Sequence, residues 1–169
     1  MVGNGIRRRA CLTWVAAAAA QWTTSWPAVA QDAGADFFYG GDGSDLFIWN
    51  PGDGNDLFEG GAGEADTLQF QGNAAANSFI MNAVNTRLEF LFGAVDLDLA
   101  STEEVQINTL AGGDTVTVND LDTTEVRNVN VDLAVNAGDV DTVTVNGRNV
   151  NDNVSLATTA ATRVAVTGL

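Results

Sequence analysis

The chain has 169 residues, with 22 acidic residues against 7 arginines, no lysine and no histidine, for a formal net charge of −15 at pH 7. That length fits one domain with room for an appended segment, and that charge argues against nucleic acid or an anionic membrane surface as a partner. Apolar and aromatic residues recur at strand spacing, which excludes a disordered acidic tail.

Residues 1–30 differ from the rest. Arg7, Arg8 and Arg9 precede the apolar run "ACLTWVAAAAA" at 10–20, and "WPAVAQ" follows with Ala28 and Ala30 as the small pair of an A-x-A cleavage site. This pattern reads as a secretory signal peptide. The apolar run falls well short of the roughly 20 residues that cross a bilayer, so no stable membrane span is expected once the segment is removed. The expected location is extracellular or at the cell surface. Cys11, the one cysteine, lies in the removable part, and every Asp and Glu lies after residue 31. A mature chain would carry no disulfide.

Residues 31–70 contain a degenerate tandem repeat. Gly40-Gly41-Asp42-Gly43-Ser44-Asp45-Leu46-Phe47-Ile48 is followed by Pro51-Gly52-Asp53-Gly54-Asn55-Asp56-Leu57-Phe58-Glu59, and then by "GGAGEADTL" at 60–68, stretched by one residue before Asp66. A worn copy, "QDAGADFFY" at 31–39, precedes them and keeps Gly34, Asp36 and Phe38 in place. Clustered glycines suit a tight turn, and the residues after each aspartate suit a short strand whose alternate side chains share a face. Phe38, Phe47, Phe58 and Leu68 then form a core. Asp36, Asp45, Asp56 and Asp66 stand at the turn-to-strand corners, where turn carbonyls also converge. Hard oxygen donors with no histidine or thiolate suit Ca2+ rather than zinc or copper. Stacked carboxylates repel one another without a cation, so metal binding and folding are expected to be coupled.

These units resemble the glycine- and aspartate-rich nonapeptides of the repeats-in-toxin (RTX) calcium-binding family. The resemblance implies a right-handed parallel β-roll in which an ion lies between turns two repeats apart. It implies that Asp45 and Asp66 share one side of the roll and Asp36 and Asp56 the other. Backbone carbonyls around Gly40, Asp42 and Ser44, and around Pro51, Asp53 and Asn55, would complete the shells. Pro51 departs from the family pattern by replacing a leading glycine.

From residue 71 to 169 the glycines thin out while short alternating runs continue. "NSFIMN" (77–82), "EVQIN" (104–108), "DTVTVND" (114–120), "VRNVNVDL" (126–133), "DTVTVNG" (141–147), "DNVSL" (152–156) and "RVAVTG" (163–168) all have period two, the signature of strands. "DTVTVN" occurs twice, with valines expected inward and threonines and asparagines outward. The expected fold is all-β, a parallel β-roll continuing into an irregular parallel solenoid. Asn77, Asp114, Asp141 and Asp152 are expected at corners comparable to the calcium aspartates, most of them as structural turn residues. "TRLEFLFG" (86–93) fits either a strand pair or a capping segment.

Catalysis is not expected. A chain without histidine or lysine lacks the usual general bases. Glu103 and Glu104 are adjacent, which on a strand sends them to opposite faces and unsuits them for paired-carboxylate hydrolysis. Arg87, Arg127, Arg148 and Arg163 read as exposed solubilising residues. The functional expectation is an extracellular calcium-binding module that folds on binding the ion. The alternative is an adhesive or surface-array solenoid binding glycans or other copies of itself, with calcium only structural.

Overall fold

The computed structural model describes residues 28–29, 33–63, 65–134 and 139–147. Twelve strands occur among them: β1 (Ala28–Val29), β2 (Phe37–Asp42), β3 (Leu46–Trp49), β4 (Leu57–Ala62), β5 (Thr67–Gln71), β6 (Ser78–Val84), β7 (Arg87–Phe92), β8 (Val95–Ala100), β9 (Glu104–Leu110), β10 (Thr115–Val118), β11 (Asn128–Leu133) and β12 (Thr142–Val145). The runs "DNVSL" and "RVAVTG", with Asp152, lie outside the described residues. No helix long and apolar enough to cross a membrane occurs among the described residues.

The strands form two open sheets. The narrower, in the order β1-β3-β5-β9-β11, is parallel throughout. The wider runs β12-β10-β6-β7-β8-β4-β2. Apart from β6, β7 and β8, consecutive strands alternate between the sheets, so most parallel neighbours are every second strand. The alternation follows from sequence: each repeat supplies a glycine turn and then a strand too short to do more than cross one face. At Gly61, φ is +110° and an added Cβ would meet the Gly41 carbonyl of the preceding turn, so close stacking of the turns requires glycine there.

The parallel expectation fails in one place. β6, β7 and β8 remain in the wider sheet as an antiparallel meander. Two tight connections make it: Asn85-Thr86, with Asn85 at φ +58°, and Gly93-Ala94, with Gly93 at φ +60°. Positive φ at the first turn residue matches the twist of a two-residue hairpin. "TRLEFLFG" is therefore a single strand, β7, paired on both sides. The meander also separates β4 from β6, whereas β5 pairs directly with β9 across the narrower sheet.

The facing surfaces of the sheets bury one continuous core. Phe47, Phe58 and Leu68 are fully buried and Phe38 is partly buried against them. Trp49 stacks on Phe70 with ring centroids 4.3 Å apart and 9° between planes, and its indole N–H donates to the Gly54 carbonyl at 3.1 Å. Phe79, Phe90 and Phe92 close around Phe70. In the two "DTVTVN" strands, Val116 and Val143 are buried while Thr115 and Thr142 pair in register on the other face.

At the rim of the narrower sheet, Ala28–Val29 pairs with Phe47–Ile48 of β3. The end of the segment read as a leader thus occupies an edge position.

Candidate metal centre

The four repeat aspartates fall on two edges of the paired sheets, Asp45 with Asp66 on one and Asp36 with Asp56 on the other. On one edge, where the chain passes from the wider to the narrower sheet, the Asp45 N–H donates to Asp66 Oδ1 at 2.7 Å. The Asp66 N–H in turn donates to Glu103 Oε2 at 2.7 Å. On the opposite edge the Asp36 N–H donates to Asp56 Oδ1 at 2.9 Å. Asp66, Glu103 and Asp56 thus each bind the amide of the preceding rung, which makes a ladder of acids one strand spacing apart.

Only one oxygen of each carboxylate is used in this way. Oδ2 of Asp45 and Oδ2 of Asp66 are buried without a hydrogen-bond partner, and Asp66 is 1 % exposed. Their surroundings are oxygen-rich. A Cβ built on Gly40 would lie 2.6 Å from Asp45 Oδ2 and 2.5 Å from the Gly60 carbonyl oxygen. A Cβ on Gly60 would meet Asp66 Oδ2 and the Ser101 carbonyl. Each unsatisfied carboxylate oxygen therefore shares a small glycine-lined space with a backbone carbonyl.

This environment opposes ionisation. Burial pushes the Asp45 carboxyl above its ordinary range. Asp66 is also raised, first by burial, with the charges of Glu103, Asp45 and Glu125 adding and the amide of Asp45 pulling the other way. A buried, partly satisfied carboxylate is costly unless it is neutralised or paired. No group of three or more acidic side chains among the described residues is arranged to hold an ion by itself. A cation on this edge would take one carboxylate oxygen per rung and fill its shell with backbone carbonyls, donors that suit Ca2+.

The remaining candidates are dispersed. The side chains of Asp42, Ser44, Pro51 and Asn55 are exposed. Asn55 Oδ1 accepts from the Asp96 amide at 3.1 Å. Asp53 closes a local turn, its Oδ2 accepting from the Asn50 amide at 2.7 Å. Gly40 lines the space beside Asp45, as described.

Two residues were missed by sequence reasoning. Glu103, set aside as one of an adjacent pair, is 9 % exposed and continues the Asp45–Asp66 ladder. Its separation of 37 residues from Asp66, against 21 between Asp45 and Asp66, conceals the relation. Arg87 is not an exposed solubilising residue: it is partly buried and pairs with both Glu59 and Asp98. Burial opposes its charge, but the two carboxylates outweigh that and raise its pKa.

No protein-family model, no curated protein and no solved structure matches this chain.

Proposed function

We propose that this chain is an extracellular calcium-binding module of the RTX type, a β-roll continued by an irregular solenoid, whose folding is coupled to Ca2+ at its acidic corners. The observation that carries the reading is the matched pair of buried, unpartnered oxygens on Asp45 and Asp66, each beside a backbone carbonyl on successive rungs. The chain's own residues bind and orient: glycines keep the space open, the Asp45 amide holds the Asp66 carboxylate, and the aromatic core sets the strand register. A bound divalent ion would supply the charge that the stacked acids lack. Export to a compartment with about millimolar calcium would then drive folding, since extracellular calcium modules bind at roughly 0.1 to 1 mM. The module carries no catalytic activity in this reading.

The test is circular dichroism of the chain titrated with Ca2+, with Mg2+ as control and the Asp45→Asn/Asp66→Asn variant alongside. A coil-to-β transition with calcium, absent with magnesium and weakened in the variant, supports the module. Full β-structure in chelator, unchanged by calcium, overturns it.

A second reading, an adhesive surface module, is favoured by a different observation. Phe37 and Tyr39 project 63 % and 68 % exposed from the outer face of β2, and the far end of the same sheet carries Thr115 beside Thr142 and Thr117 beside Thr144. Exposed rings and regular hydroxyls suit glycans or a second copy. A glycan array and calcium-dependent sedimentation separate the readings, because a pure folding module stays monomeric and binds no glycan.

A further inference from the structure

On the outer face of the wider sheet, polar side chains from the neighbours β7, β6, β10 and β12 join in one hydrogen-bonded row. Asn146, just past β12, donates from Nδ2 to Asn119 Oδ1 at 2.7 Å. Asn119, just past β10, donates to Asn82 Oδ1 at 2.6 Å, and Asn82 in β6 donates to Glu89 Oε2 in β7 at 2.8 Å. Glu89 sets the direction of the row. An ionised carboxylate only accepts, so Asn82 turns its Nδ2 toward Glu89 and its Oδ1 toward Asn119, and the same orientation passes on to Asn146.

We propose that Asn146 is a site of spontaneous hydrolytic deamidation, held in check by this row. Among the described residues it is the one asparagine followed by glycine. Asn146 and Gly147 are both exposed, and they lie beyond Val145, the last residue of β12 paired with β10. Glycine has no Cβ to shield its amide nitrogen, and its backbone freely takes the conformation that brings that nitrogen to the preceding side chain. Asn82 and Asn119 are followed by Ala83 and Asp120 and are half-buried. Only the last member of the row is open to this chemistry.

In the first step the Gly147 nitrogen attacks Asn146 Cγ. A C–N bond forms between them, the Cγ–Nδ2 bond breaks, and the Gly147 amide proton leaves with the side-chain nitrogen as ammonia. Water then opens the cyclic imide at either carbonyl, giving aspartate or, with the main chain rerouted through Cγ, isoaspartate. Water is the only co-reactant, and nothing is oxidised or reduced. The row opposes the first step, because the bond to Asn119 holds the Asn146 side chain across the sheet and must break before Cγ can reach the Gly147 nitrogen. The product cannot rejoin the row intact. With a carboxylate at each end and two amides between, one pair of acceptors always faces another: either the new carboxylate meets Asn119 Oδ1, or Asn119 turns round and meets Asn82 Oδ1 with its own. One hydrogen bond at the β12 end is lost in either arrangement, and a negative charge is gained.

This proposal is independent of calcium and of the function proposed above. It is tested by incubating the full-length protein at neutral pH and following residue 146 by peptide mapping and mass spectrometry, in wild type, Gly147→Ala and Asn119→Ala, with wild type in urea as the unfolded reference. Aspartate and isoaspartate are expected to accumulate at 146 in folded wild type, more slowly than in urea, and to be nearly abolished in Gly147→Ala. In Asn119→Ala, with its fold checked by circular dichroism, the rate is expected to rise about fivefold, the weight of one net hydrogen bond. A folded wild type that keeps its amide at 146 while the urea-unfolded chain loses it overturns the site, and an unchanged rate in Asn119→Ala overturns the restraint by the row. A second comparison does not depend on Asn119→Ala folding. Asn146→Asp is expected to lower the urea midpoint in the wild-type background and to leave it unchanged in Glu89→Gln, where an amide at 89 lets the whole row reverse and satisfy every member. An equal loss in both backgrounds overturns the coupling of Asn146 to Glu89 through the row.

Discussion

The amide of Asp45 donates to the carboxylate of Asp66, 21 residues along the chain, at 2.7 Å, and this leaves the other Asp66 oxygen facing Gly60 and the Ser101 carbonyl. One side chain thereby locks two rungs together and holds a bare oxygen against another oxygen. The first role needs only an acceptor. The second is relieved by a proton on that oxygen or by a bound cation.

The two roles separate in Asp66→Asn. Its Oδ1 still accepts from Asp45, while its NH2 puts a donor where a carbonyl is waiting. In chelator the variant is expected to be more stable than wild type by about 1–3 kcal/mol, the cost of a buried unsatisfied polar group. In saturating calcium the order reverses, because the variant has lost a charged ligand. Thermal melts of both proteins in both buffers check this, and the crossing of the two differences is the diagnostic outcome.

Acidity acts on the same groups. Asp45, Asp66 and Asp114 have folded-state pKa values raised by burial. A folded state that holds its protons more tightly than the unfolded chain is stabilised at low pH, and loses that stability as pH rises through the raised pKa values. In chelator, stability is expected to fall on going from about pH 4 to neutrality. Under the proposed function calcium competes with protons for these oxygens, so its addition should flatten the profile. Urea midpoints across this range, with and without calcium, measure both slopes.

Turn stacking offers a purely steric check. A Cβ at Gly63 would meet the Gly43 carbonyl on the rung below, where neither backbone can withdraw without parting β4 from β2. Gly63→Ala is expected to cost about 1–3 kcal/mol, the range for overpacking. Ser44→Ala, on an exposed side chain of the neighbouring turn, is expected to fall within about 0.5 kcal/mol of wild type. Denaturant unfolding in saturating calcium compares the two.

The aromatic core should behave as one unit across the expected boundary at residue 70. Phe70 is fully buried and touches Trp49 before that boundary and Phe79 and Phe90 after it. Phe70→Ala is expected to cost about 3–5 kcal/mol, a large share of the stability of a domain this size, with a single loss of near-ultraviolet circular dichroism. Two separate transitions would show that the halves unfold independently.

The sequence revealed those features that depend on period and composition. Alternating residues identified Phe47, Phe58, Leu68, Val116 and Val143 as core, and glycine turns placed Asp36, Asp45, Asp56 and Asp66 at corners. It concealed whatever depends on which strand lies beside which. "SFIMNAV" and "RLEFLF" alternate in the same manner whether they form successive rungs or a hairpin, and only Asn85 and Gly93 hint at reversal. Glu103 was hidden for the same reason: the inserted meander lengthens the chain between rungs without separating them in the narrower sheet. Arg87 was misread because its carboxylates, Glu59 and Asp98, come from strands that become neighbours only through that meander.

The meander also divides the molecule electrically. On the edge carrying Asp45, Asp66 and Glu103, successive acids are one strand apart, about 4.8 Å, well inside the Debye length of roughly 8 Å at physiological salt. On the opposite edge three strand steps, about 14 Å, separate the strand that follows Asp56 from the strand that follows Asn77, and salt screens the charges across that gap. A charge gained or neutralised at one rung of the first edge would be felt at the next. The second is divided into two insulated parts, so that a charge placed at one end would be screened from the other.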